Sequence, residues 1–133
     1  MILNTYLFFN GNCREAFEFY APLFGGAIEA MLTHADTPAA SQVPDEWRDK
    51  ILHARLKIGD RLLMASDAPP QYAAAPAGFR VHVEIADPEK AARVFAALAE
   101  GGRIMMPFEK TFWARQFGMV NDRFGTPWMI SSA

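Results

Sequence analysis

Apolar positions along this chain change their spacing several times, and each change marks an element. Cys13, Ala16, Phe17, Tyr20 and Phe24 form one stripe on a 3.6-residue period, which predicts an amphipathic helix. Asn12 stands before it as N-cap, with Glu15 three residues on, where a capping box places its acid. Gly25 and Gly26 end it, because glycine takes positive φ without a Cβ penalty. Ile2 to Phe9 and Ala27 to Thr33 read as the flanking strands. His34 to Lys50 is a loop rich in Pro, Ala, Ser and Asp, in which His34 is expected to be solvated. Ile51 to Ile58 and Arg61 to Ser66 flank Gly59-Asp60 as a two-residue hairpin.

A Pro/Ala stretch beginning at Asp67 and ending at Gly78 then interrupts the pattern, and the same order of elements returns. Phe79 to Ile85 alternates as a strand. Asp87 caps a helix that starts on Pro88, with Ala91, Val94, Phe95 and Leu98 as its stripe. Gly101-Gly102 stops it, 76 residues after Gly25-Gly26. Arg103 to Phe108, Gln116 to Val120 and Trp128 to Ser131 read as three more strands, with a loop from Lys110 to Arg115. PWMIS near the end matches LLMAS, laying Met129 on Met64. The expected architecture is therefore α+β: one domain over 1–133, built from module one (1–68), a linker (69–78) and module two (79–133). Each module is βαβββ, with a helix on one sheet face and the other faces free to close around a cup.

Composition narrows the function. A chain of 133 residues, 51% hydrophobic, is long enough to bury about two-thirds of its unfolded surface. A net charge of −2 offers no basic footprint for nucleic acid. No stretch approaches the roughly 20 apolar residues of a membrane span. The opening MILNTYLFF is short for a signal h-region and has no basic start. One cysteine excludes an internal disulfide framework, and a cytoplasmic location is expected. Cys13 reads either as a buried stripe residue or as a thiol activated by the helix dipole.

The stretches FFNGNCREAFEFYAPLFGG, ILHARLKIGDRLLMASD and TFWARQFGMVNDRFGTPWMI cover most of the chain. They resemble the vicinal-oxygen-chelate superfamily of glyoxalase I, extradiol dioxygenases and bleomycin-resistance proteins, and within it the PhnB-like group. The resemblance implies a glyoxalase-like, eight-stranded curved sheet around a cup, and a homodimer. The group is also labelled a demethylubiquinone methyltransferase. This sequence lacks the Gly-rich strand-to-helix turn that holds a nucleotide-like cofactor, so methyl transfer is not expected.

Metal-using members take one His, Gln or Glu ligand from the first and last strand of each module. The resemblance lays these positions on Thr5, Met64 and Met129, and on either Val81 or His82. The 76-residue offset from Thr5 gives Val81; strand alternation, with Val81, Val83 and Ile85 toward the helix, gives His82, the preferred assignment. Thioethers and a Thr hydroxyl are weak donors for such ions. No metal and no other cofactor are expected, a divalent ion being the alternative.

The Gly59-Asp60 hairpin sets Met64 opposite Arg55 and Ser66 opposite His53. The candidate ligand pocket is thus Thr5, His53, Arg55, Met64, His82 and Met129, with Phe112 and Trp113 on a rim loop. Each has a plainer reading. His53 and His82 are structural, pocket or metal residues; Arg55 bridges to Glu84 or holds an anion. The two methionines fill core or touch ligand. Trp113 is a lid or a dimer contact. The expected function is binding of a small organic molecule. The alternative is a lyase, isomerase or dioxygenase that uses His53 and His82 on a metal, or His53 as a general base. A third reading is an interaction module with a filled cup.

Overall fold

The computed structural model describes residues 1–113 and 115–132. Its strands and helices run β1 (Thr5–Phe9), α1 (Cys13–Phe24), β2 (Ala27–Thr33), β3 (Ile51–Ile58), β4 (Arg61–Asp67), β5 (Val81–Glu84), α2 (Pro88–Ala99), β6 (Arg103–Glu109), β7 (Gln116–Asn121) and β8 (Pro127–Ser132). The chain forms two compact units, Met1–Ala73 and Ala74–Ala133, and the division falls inside the Pro/Ala stretch. The eight strands hydrogen-bond as two four-stranded sheets, in the orders β1-β4-β3-β2 and β5-β8-β7-β6. These are the eight strands of the two expected βαβββ modules, four to each unit. The duplication is exact in topology: the first strand of each unit lies parallel to the last, and the remaining pairs are antiparallel.

In the first unit, the whole predicted stripe of α1 is buried: Cys13, Ala16, Phe17, Tyr20 and Phe24. It meets Leu7, Phe9, Ala54, Leu56, Leu63 and Ala65, which are buried on one face of the sheet. Phe9, Phe17 and Tyr20 pack with ring centroids 6.1 to 6.5 Å apart. Each such ring contributes about 1.5–3 kcal/mol by leaving water. The helix ends in a Schellman turn: Gly25 is left-handed at φ 66°, its N–H reaches Pro22 O, and Gly26 N–H reaches Ala21 O at 2.8 Å.

The start of α1 differs from expectation. Asn12 makes no side-chain cap, and Glu15 closes no capping box. The carboxylate of Asp67, at the end of β4, does that work from across the sheet. Its Oδ1 accepts from Gly11 N and Cys13 N, both at 3.0 Å, and Oδ2 accepts from Ile51 N at 2.8 Å. The segment 34–50 also departs from a plain loop. It contains three short 3₁₀ turns, and His34 is buried, with Nδ1 3.1 Å from Lys50 O.

In the second unit, Asp87 caps α2 as expected, its Oδ1 accepting from Glu89 N at 3.0 Å. Ala91, Val94, Phe95 and Leu98 are buried, as are Phe117, Val120, Trp128 and Ile130 on β7 and β8. Asp122, in the β7–β8 turn, takes Trp128 Nε1–H at 2.8 Å and the amides of Phe124 and Thr126.

Candidate functional site

In each unit the helix covers one sheet face, and the side chains of the other face are the candidates for chemistry. Strand pairing decides which residues those are. In the first unit Tyr6 pairs with Met64, Met64 with Arg55, and Arg55 with Ala30, one continuous row across the sheet. The helix-covered rows hold Leu7–Ala65–Ala54 and Thr5–Leu63–Leu56. Thr5 therefore does not share the face of Met64, and Tyr6 takes its place. Parity is the reason: Leu7 and Phe9 are buried against α1, so Tyr6 and Phe8 point the other way.

Tyr6 brings a polar group to this face. Its Oη lies 3.1 Å from His53 Nδ1, and the two rings stack with centroids 5.8 Å apart. Phe8 is tilted against Tyr6 at 5.2 Å. With Nδ1 engaged, Nε2 is the imidazole nitrogen left for a ligand. Arg55 meets Glu29 on β2, Nε to Oε2 at 4.0 Å. A bulge between Ile28 and Ala30 inserts Glu29 there. Both side chains are about two-fifths exposed, so this is a weak, solvated pair, and Arg55 remains available to an anion. The first unit thus gathers His53, Arg55 and Met64 as expected, and adds Tyr6.

In the second unit His82 pairs with Met129, and Met129 with Met119. Val81 pairs with Trp128 and Val83 with Ile130, both buried, so His82 rather than Val81 lies on the helix-free face. His82 Nε2 is 2.8 Å from Ser131 Oγ. Phe112 and Trp113 stand between β6 and β7. Trp113 packs edge-on to Phe117, with centroids 5.3 Å apart, while Phe112 is 96% exposed. Phe117 pairs with Ser131, so Trp113 caps the end of the His82–Met129 face. At the opposite end a cleft of about 440 Å³ opens beside Met119 and Met129, and Arg80 enters its lining.

Cys13 is not an activated thiol. Burial first, and the Asp67 carboxylate second, push its pKa well above the ordinary range. The native thiol keeps its proton where the unfolded one loses it, so stability falls as pH rises above ~8.5. The expected excess loss, relative to Cys13→Ala, is at most about 1.4 kcal/mol per pH unit, read from urea midpoints between pH 8 and 10. Parallel pH profiles for the two proteins would refute it.

Metal-donor geometry is sparse. The first- and last-strand positions carry Tyr6, Met64, His82 and Met129, of which only His82 is a usual donor for a divalent ion. Among the described residues, no three His, Cys, Asp or Glu side chains gather as a metal site.

Two tandem βαβββ units with this pairing define an α+β protein of the glyoxalase-like fold. Within it, this chain belongs to the PhnB-like family described as 3-demethylubiquinone-9 3-methyltransferase, whose pattern matches residues 2–131. Protein YjdN of Escherichia coli (strain K12) is 35% identical, across 98% of this chain and 95% of that protein. The crystal structure of protein PA1353 from Pseudomonas aeruginosa is similar at 47% identity and a TM-score of 0.90, covering 99% of this chain and 97% of that one. A putative 3-demethylubiquinone-9 3-methyltransferase, PhnB protein, from Bacillus cereus is 25% identical with a TM-score of 0.83, over 100% of both chains. No helix among the described residues is long and apolar enough to cross a membrane.

Proposed function

We propose that this protein binds a small organic molecule on the helix-free faces of its sheets and does so without a metal ion. The observation that carries the reading is the register. It puts an aromatic residue, two thioethers and one imidazole at the four positions where metal-using relatives of the fold hold their ligands. Around them stand apolar and aromatic side chains with few polar anchors, Tyr6–His53, Arg55 and His82–Ser131, the usual make-up of a small-molecule site. The methyl transfer in the family's description gains no support from the β1–α1 turn. There the amides of Gly11 and Cys13 donate to Asp67, and Lys50 Nζ donates to Gly11 O at 2.9 Å. A turn whose amides are spent internally does not cradle a nucleotide-like cofactor.

The test joins elemental analysis to titration. Protein reconstituted with Zn, Mn, Ni, Fe or Co and then desalted should hold no stoichiometric metal. Calorimetric titration against a broad panel of metabolites and antibiotics should show saturable binding that EDTA leaves unchanged. Tight one-to-one metal with chelator-sensitive binding would overturn the metal-free reading, and silence across the whole panel would overturn ligand binding itself.

A further inference from the structure

The cleft in the second unit is more selective than a general apolar face. It is an open cleft lined by Met119, Met129, Phe79, Pro127 and Asn121 with the Pro76–Gly78 segment, and among the described residues Arg80 is its one charged lining residue. Among the described residues no carboxylate lines it to neutralise that charge. Arg80 is also fixed in place. Nη1 donates both to Asn121 Oδ1 at 2.9 Å and to Trp128 O at 3.2 Å, which uses both of its hydrogens. Nε and Nη2 have no hydrogen-bond partner among the described residues. Their N–H groups form the parallel pair that matches the two oxygens of a carboxylate.

We infer that this cleft binds a small aromatic monocarboxylate. Its carboxylate sits on the Nε/Nη2 edge of Arg80, and its ring lies against the thioethers of Met119 and Met129. Three properties select that class. One guanidinium with one free fork balances one negative charge, and a phosphate dianion would leave a charge unmatched. Methionine sulfur favours aromatic partners and adapts to their outline. A volume of about 440 Å³ holds one or two fused rings rather than a dinucleotide-sized ligand. Arg80 held by two bonds has little rotamer entropy left to lose on binding, which favours it over a free surface arginine. The inference rests on the small-molecule reading above and narrows it to one cleft and one ligand class.

The experiment uses the full chain carrying ¹³C-methyl methionine, with Met119→Leu and Met129→Leu assigning the two signals. The probes are naphthalene-2-carboxylate, the uncharged naphthalene-2-carboxamide, and phenyl phosphate. The carboxylate should shift Met119 and Met129 in a saturable way, with at least tenfold weaker binding for the carboxamide and for Arg80→Gln. Should Arg80→Gln fail to fold, the carboxylate–carboxamide ratio on the wild-type chain still decides. Equal affinity for acid and amide, tighter binding of phenyl phosphate, or absence of any shift at Met119 and Met129 would each overturn the inference. A saturable shift at Met64 alone would also overturn it while leaving the small-molecule reading intact on the first unit's sheet.

Discussion

Asp67→Ala lowers the stability of the protein by on the order of 4 kcal/mol, the largest effect expected of any single polar substitution here. Asp67 is 5% exposed and ties the end of β4 to the start of α1 and the start of β3. Its oxygens accept from Gly11 and Cys13, where β1 becomes α1, and from Ile51, where the long 34–50 segment re-enters the sheet. Removing the carboxylate leaves three amide donors without their acceptor, two of them in bonds that are buried. Each such bond to a charged acceptor contributes about 1.5–3 kcal/mol, and the three are not additive because one side chain serves them all. Asp67→Asn keeps one oxygen for Gly11 and Cys13 but sets an NH₂ against the Ile51 amide, so roughly half of the loss is expected. Urea unfolding at constant m reads both variants. An Asp67→Ala midpoint equal to wild type would show that Asn12 or water can cap α1 unaided.

Gly102→Ala is the second large loss, about 3 kcal/mol or more. A Cβ there would strike Asn121 O, and would sit 3.0 Å from both Asp122 Cα and Leu98 O, all backbone atoms that cannot swing aside. Gly26 has the corresponding place in the first unit. Its Cβ would stand 2.6 Å from Lys57 O, but its other neighbours are the movable side chains of Ile58 and Leu56, so Gly26→Ala costs less. Gly25 has open space around it and a positive φ, so Gly25→Ala carries only the conformational penalty of about 1 kcal/mol. The expected order of thermal midpoints is therefore Gly25→Ala, then Gly26→Ala, then Gly102→Ala, from highest to lowest. A Gly102→Ala midpoint at or above that of Gly25→Ala would mean that close packing is not what demands the second glycine of each pair, since Gly102 has no positive φ to explain a loss.

Much of this was legible in the residues themselves. Both helix stripes were readable to the residue, because a 3.6-residue period repeated over three turns leaves one face to bury. The hairpin register was readable as well, since a two-residue turn at Gly59-Asp60 forces Arg55 onto Met64. So was the duplication. The 76-residue offset between the glycine pairs carries Tyr6 onto His82 and Thr5 onto Val81. Anchoring the first strand at Thr5 created an apparent one-residue slip in the second module. Alternation settles His82 in the second module but not Tyr6 in the first, because the run Tyr6, Leu7, Phe8 and Phe9 is apolar at every position and hides its own parity.

Other features belong to tertiary structure alone. Asn12 and Glu15 satisfy the local pattern of a capping box, yet a carboxylate more than fifty residues away reaches the same amides and displaces it. Local preference is a weak prior where a buried charged acceptor is within hydrogen-bond distance. His34 lies in a polar stretch and is nevertheless buried, because the 3₁₀ turns fold it back onto the Lys50 carbonyl. The cleft beside Arg80 could not be read from spacing, because Arg80, Asn121 and Met129 come from separate strands or flanking segments. The spacing of apolar residues along the chain sets which faces of helix and strand are apolar, and hence the fold. Which polar groups meet across those elements was decided only by strand register and by the paths of the long connections, and neither is set by neighbours along the chain.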